Sequence, residues 1–208
     1  MPSIGGTINI ITQGVGTKIG GTFKQEYATG NFLRSSLSYN TGMTKSGWGL
    51  TFSGSYKQGQ GWVDGTPTQG YFGYAKISKR LDNHLLTLSA FAAPQKHGQR
   101  SFNQPIQYWD AGRSQDLGIP FDSTLLLNDR GIRYNQHWGQ ITNEEGNKVL
   151  LSERQNFYNK PQITLKDFWS VNDKLDISNL AYLSIGRGGG TSIFNSSAIL
   201  RDSNMNID

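Results

Sequence analysis

The chain has 208 residues with 20 Lys+Arg against 15 Asp+Glu, a mild excess of +5, and no cysteine. Its 26 glycines are near double the usual share of about 7%, and its 17% charged residues fall well below the usual share of about 25%. Disulfide scaffolds and cysteine-ligated zinc or iron–sulfur centres are therefore excluded. The glycines have no period of three, so collagen is excluded too. The longest apolar stretch, Leu85 to Pro94, contains Thr87 and Ser89; it is far short of the roughly 20 apolar residues a spanning helix needs. Met1-Pro2-Ser3 runs straight into Ile4-Gly5-Gly6-Thr7. With no basic or apolar leader there, a natural start lying further upstream is one expectation and a cytoplasmic protein the other.

In chain order the residues alternate with period two, the pattern of strands with two unlike faces. Ile19, Gly21, Phe23 and Tyr27 oppose Lys18, Thr22, Lys24 and Glu26. Leu33, Leu37, Tyr39 and Met43 oppose Arg34, Ser36, Ser38 and Asn40. Trp48 to Lys57 is the clearest segment, with Trp48, Leu50, Phe52, Gly54 and Tyr56 on one face. Tyr71 to Leu81 alternates less cleanly, as does Gln162 to Trp169. Leu86/Leu88/Ala90/Ala92 and Leu175/Ile177/Ala181/Leu183/Ile185 complete seven strands. No segment has a convincing helical pattern.

The links between these strands differ in a regular way. After even-numbered strands they are short turns: Thr44 to Gly47, Leu81 to His84 and Ser170 to Lys174, with Gly, Asn, Asp or Ser at the corners. After odd-numbered strands they vary, from Thr29-Gly30-Asn31 through Gly59 to Gly70 to the long stretch 96–156, and a last one opens at Gly186. Short turns at one end and long loops at the other, joined by strands of about 10–12 residues, describe an antiparallel transmembrane β-barrel. Trp48 and Trp169 would flank the short turns and Tyr27, Tyr56 and Tyr71 the far ends, as two interfacial girdles. Lys57, Lys76, Arg80 and Arg34 would face the polar interior. A soluble β-sandwich also alternates, but its loops need not be so unequal, nor its apolar faces so long and so rich in small residues.

Before the first strand stands Ile4-Gly5-Gly6-Thr7-Ile8-Asn9-Ile10-Ile11-Thr12. This stretch resembles the last strand of the plug domain in TonB-dependent outer-membrane receptors. The end of the long loop, Arg154 to Gln162, is similar to receptors of that family from Bacteroidota-type bacteria. The resemblance implies residues 1–15 as the end of the plug and hinge, and 16–208 as the amino-terminal part of a larger, plugged barrel. About seven strands of 22 would be present, too few to close. It further implies a fragment located in the cell outer membrane of a Gram-negative bacterium and embedded in outer-membrane lipid. The intact receptor would bind a nutrient such as a siderophore, glycan or cobalamin and import it into the periplasm. Its partners would be the TonB complex, a small-molecule or oligosaccharide ligand, and a surface lipoprotein. Binding and gating involve no bond breaking, so no enzyme activity and no cofactor are expected. A passive porin or adhesin barrel, lacking any plug remnant, is one alternative; a secreted carbohydrate-binding β-sandwich is another.

Other constellations carry less. Gly14 to Gly20 is one residue off a dinucleotide pattern and precedes no helix, so a hinge is the simpler reading; Gly186 to Gly190 reads as the start of a mobile loop. His84, His97 and His137 lack metal-ligand spacing; a turn position is expected for the first and solvated loop positions for the others. Asp122 and Asp129 are too irregular for a calcium loop, and Glu144 to Asn147 reads as a polar turn. Basic residues are dispersed, which disfavours nucleic-acid binding. In the long loop Phe102, Tyr108, Trp109, Phe121, Tyr134 and Trp138 are interleaved with Asp110, Arg113, Asp116, Arg130 and Arg133. A loop this long is folded, functional or both. Trp62, Tyr108, Trp109, Tyr134 and Trp138 are the candidate ligand-binding residues, since rings beside polar groups stack on sugar or cofactor rings. Packing of the loop is the other role open to the same rings, and the favoured one.

Overall fold

A computed structural model of the chain describes residues 18–100, 105–120 and 131–192. The motif at residues 4–12, the hinge glycines 14–17, Phe102, Phe121, Asp122, Asp129 and Arg130 lie outside these residues. The described residues are all-β apart from two short helical turns, and every strand pairing is antiparallel.

The main sheet begins with β1 (Gly20–Ala28), β2 (Phe32–Met43), β3 (Trp48–Gln60), β4 (Pro67–Arg80) and β5 (His84–Ala92), each paired with the next. It continues with β10 (Gln162–Asn172) and β11 (Leu175–Ser184), so β10 lies beside β5 after the long excursion. Three shorter strands prolong these. β6 (Gln95–Gly98) continues β5 along β4 in one unbroken register. β9 (Gln155–Asn159) and β12 (Arg187–Gly190) likewise continue β10 and β11. The breaks fall at Pro94, at Pro161 and at residues 185–186. Proline has no N–H to give the ladder, but its carbonyl still serves: Pro94 O accepts from the Tyr71 N–H at 2.9 Å, and Pro161 O from Ile185 at 3.2 Å. The seven expected strands are therefore present in the expected order, longer than alternation alone drew them.

That extension changes three expectations. The link after β3 shrinks to residues 61–66. Gly186 to Gly190 is not the start of a mobile loop, because β12 pairs with β9. His84 is not a turn residue but the first of β5, where it pairs with Trp169. A fourth correction comes from a bulge between Asn40 and Met43, where Gly42 takes φ +65°. An extra residue reverses the side on which the following one stands. Met43 accordingly pairs with Gly49, which pairs with Ser78, on the face opposite Leu37 and Tyr39.

The turn at 44–47 is closed by its own residues. The Gly47 N–H donates to Thr44 O at 2.9 Å, and Thr44 Oγ1 accepts from the Trp48 N–H at 3.0 Å. Within the long excursion stand a helical turn at Ile106–Tyr108, α1 (Ala111–Asp116), β7 (Trp138–Thr142) and β8 (Lys148–Ser152). The last two form a separate hairpin. Its turn contains Glu144 to Asn147 as expected, with Asn143 Oδ1 accepting from the Glu145 and Asn147 N–H groups. The main sheet itself encloses no apolar core. Among the described residues the only buried large apolar side chains are Trp109 and Tyr134, both in the long excursion.

Candidate functional site

The register divides the main sheet into two faces. On one, the rows across neighbouring strands read Leu37–Gly54–Gly73–Ala92, then Tyr39–Phe52–Ala75–Ala90–Ile163–Leu183, then Leu50–Ile77–Leu88–Leu165–Ala181. This apolar face is exposed: Leu88 is 49% accessible, Leu165 50% and Leu183 60%. The opposite face is polar along its centre and shielded there, with Lys76 only 6% and Ser78 only 2% accessible, while toward its edges Lys24, Arg34, Phe168 and Tyr182 are exposed. Ser78 Oγ and Thr87 Oγ1 lie 3.0 Å apart across β4 and β5. A water-soluble sheet has the reverse arrangement, apolar in and polar out.

Aromatic rings bound the apolar band at both ends. Tyr56 and Tyr71 pair directly, their centroids 4.8 Å apart, and Tyr27 stands one row further toward the long links. At the short-turn end the Trp48 ring lies under Lys79 Nζ at 4.8 Å, and that ammonium donates to Ser46 O at 2.8 Å. Beside it the His84 and Trp169 rings stack at 5.3 Å. His84 Nδ1 lies 2.9 Å from Asp167 Oδ1, and Asn179 Nδ2 donates to Asp167 Oδ2 at 3.4 Å. Polar groups on the apolar face thus stand toward the ends of the strands rather than in mid-band.

The polar face carries Lys24, Arg34, Lys57, Lys76, Arg80 and Lys166 against Glu26 and Asp176. Glu26 is held by Lys24 at 2.7 Å and by Arg34 at 3.6 Å. Among the described strands of the main sheet the positive charge is therefore concentrated on this side. Phe72, Tyr74, Phe91 and Phe168 stand among these charges, and on the edge strand β11 Leu180 and Tyr182 interrupt the pattern.

The long excursion is folded against the link after β3. Trp109 and Tyr134 pack on each other at 5.1 Å, and Arg100 Nη1 donates at 2.7 Å to both Ile132 O and Tyr134 O. Asn135, fully buried, donates to Asp64 O at 3.0 Å, and the Asp64 N–H donates to Arg133 O at 2.8 Å. Gly65, at φ +63°, leaves no space for a side chain because the Trp138 ring occupies it. His137 is not solvated: it is buried, with Nδ1 3.1 Å from Glu153 Oε2. His97 is half-buried on β6, its Nε2 3.4 Å from Gln99 Nε2.

Of the five candidate ligand residues, the structure brings Trp109 and Tyr134 together as the packed centre of this unit. Trp138 is half-buried over Gly65, and Tyr108 is half-buried in the helical turn before α1. Trp62 alone stands well exposed, at 59%. Sequence reasoning missed a second feature. A half-open cleft of about 400 Å³ lies at the long-link ends of β3, β4, β6 and β9, lined by Asn31, Gln58, Gln60, Gln69, Lys96 and Gln155. The recurrence of Gln58, Gln60 and Gln69 beside a tyrosine pair was the available signal. Among the described residues no group of three or more His, Asp or Glu side chains could hold a metal ion. Compared with models of protein families and with curated proteins, the chain matches none.

Proposed function

We propose that the chain forms part of the wall of an outer-membrane β-barrel, of the TonB-dependent receptor kind. The observation that carries this reading is the sheet's two unlike faces, a continuous exposed apolar one and an opposite polar, cationic one that is shielded along its centre. A continuous apolar face of this extent is an aggregation liability in water and the normal outer surface of a barrel in lipid. Its height agrees. Eight residues separate Tyr56 from Trp48 on β3, about 27 Å along the strand. At a strand tilt of about 40° this is about 20 Å across the membrane, close to the apolar band of about 25 Å between aromatic girdles.

The polar face would then line the interior, and the long, folded excursion would stand outside with the exposed ring of Trp62. In the receptor reading that excursion meets the nutrient, and Trp109 and Tyr134 support it from beneath rather than touch the ligand. Import coupled to TonB rests on the resemblance at residues 4–12. A carbohydrate-binding sandwich would need a second sheet on the apolar face. Among the described residues the other sheet, β7 with β8, is a hairpin in the long excursion.

Fractionation of cells producing the protein from its own gene tests the location, with the outer-membrane fraction expected to hold it. Growth on a limiting nutrient, with and without TonB, tests the transport. A soluble periplasmic or cytoplasmic protein would contradict the barrel; a growth contribution independent of TonB would favour the passive porin.

A further inference from the structure

The cleft lined by the glutamines stands on the same face as the apolar band. Gln58, Gln69 and Lys96 occupy one row, and Gln60, Gly98 and Gln155 the next, with the parity of Tyr56 and Tyr71. These rows lie two and four residues beyond the tyrosine pair, about 7 Å and about 14 Å along the strands. The polar headgroup layer of a bilayer adds about 5–8 Å on each side of its hydrocarbon core. If the apolar band spans that core, the cleft opens at headgroup height.

Its chemistry is specific. Tyr56 donates its O–H to Gln58 Oε1 at 2.8 Å and accepts from Gln69 Nε2 at 3.0 Å. The tyrosine thereby holds both amides in place. Gln58 Nε2 and Gln69 Oε1 are left without a partner among the described residues, and the side chains of Asn31, Gln60 and Gln155 make no hydrogen bond there. Neutral amides that both donate and accept match vicinal hydroxyls, each of which does the same. Lys96 adds one cation, and no carboxylate lines the cleft. A polyhydroxylated ring bearing an anionic group fits this set of partners.

We propose that this cleft binds the anionic sugar headgroup of a glycolipid in the outer leaflet. The proposal rests on the barrel reading for its choice of a lipid rather than a free saccharide. The position decides that choice: the cleft is continuous with the apolar band and would place acyl chains beside Leu37 and Tyr39.

The test uses the protein produced from its own gene and purified in mild detergent, with the triple variant Gln60→Ala/Lys96→Gln/Gln155→Ala beside it. Both are added to phosphatidylcholine vesicles with and without lipopolysaccharide, floated, and the retained glycolipid is measured by mass spectrometry. The parent is expected to retain lipopolysaccharide and the variant about tenfold less, since two amides and the one cation are lost together. Equal retention by the two would overturn the assignment while leaving the barrel reading intact. Equally tight binding of the lipid-free oligosaccharide would overturn the lipid as occupant. Failure to float with either kind of vesicle would contradict the barrel reading, and this proposal with it.

Discussion

Phe52 stands four residues from Tyr56 and four from Trp48, halfway between the two aromatic rows, and its side chain is exposed on the apolar face. Phe52→Arg is expected to cost about 2–4 kcal/mol, the range for a cation at the bilayer midplane. Thr51→Arg, one residue away on the polar face, is expected to be mild. Unfolding equilibria in lipid or detergent measure both, and equal costs would contradict the assignment of the faces. A different pair of residues tests the folded excursion. Gly65→Ala would force a side chain into the Trp138 ring at a left-handed φ, a conformation that alone costs on the order of 1–3 kcal/mol. Trp109→Ala would empty the centre of the unit, at about 3–5 kcal/mol. Either is expected to speed proteolysis within residues 99–154 while leaving the strands protected. Unchanged cleavage would mean that the Trp109–Tyr134 packing does not hold the excursion together.

At the scale of elements, the strands were legible because a sheet with two unlike faces writes its period into the residues. Trp48 to Tyr56 shows it most plainly, and its partner strands follow in register. What hid the rest was physical. Pro94 and Pro161 interrupt alternation, so β6 and β9 read as loop although both continue their strands. The bulge at Gly42 adds a residue and moves Met43 to the other face, which no alternation count detects. His84 and Asp167 meet across 83 positions, and His137 and Glu153 meet inside a unit whose packing no local pattern specifies. The glutamine cleft joins residues from four strands, and the recurrence of Gln58, Gln60 and Gln69 was its one trace in the sequence. In the proposed barrel the turn at 44–47 would face the periplasm and Trp62 the outside. Cysteines at positions 45 and 62, probed on intact cells with a membrane-impermeant maleimide, are expected to label at 62 alone. Labelling at 45 alone would reverse the orientation.

At the scale of the whole molecule, β1 and β11 each have one edge without a strand partner among the described residues. In lipid an unsatisfied backbone edge costs several kcal/mol per group, so a membrane sheet must meet further strands along both. The same sheet in water would expose Leu88, Leu165 and Leu183 together. A barrel wall requires lipid on the apolar face and water on the polar one, and quenching along neighbouring strands reads that directly. A small fluorophore would be attached to cysteines at 52, 88 and 165 on the apolar face and at 76, 78 and 164 on the polar face. The protein would then be reconstituted in vesicles holding brominated lipid or exposed to aqueous iodide. Brominated lipid is expected to quench the first three and spare the second three. Quenching of 52, 88 and 165 by iodide but not by lipid, or their protection from both, would place the apolar face in water or against protein and contradict the barrel.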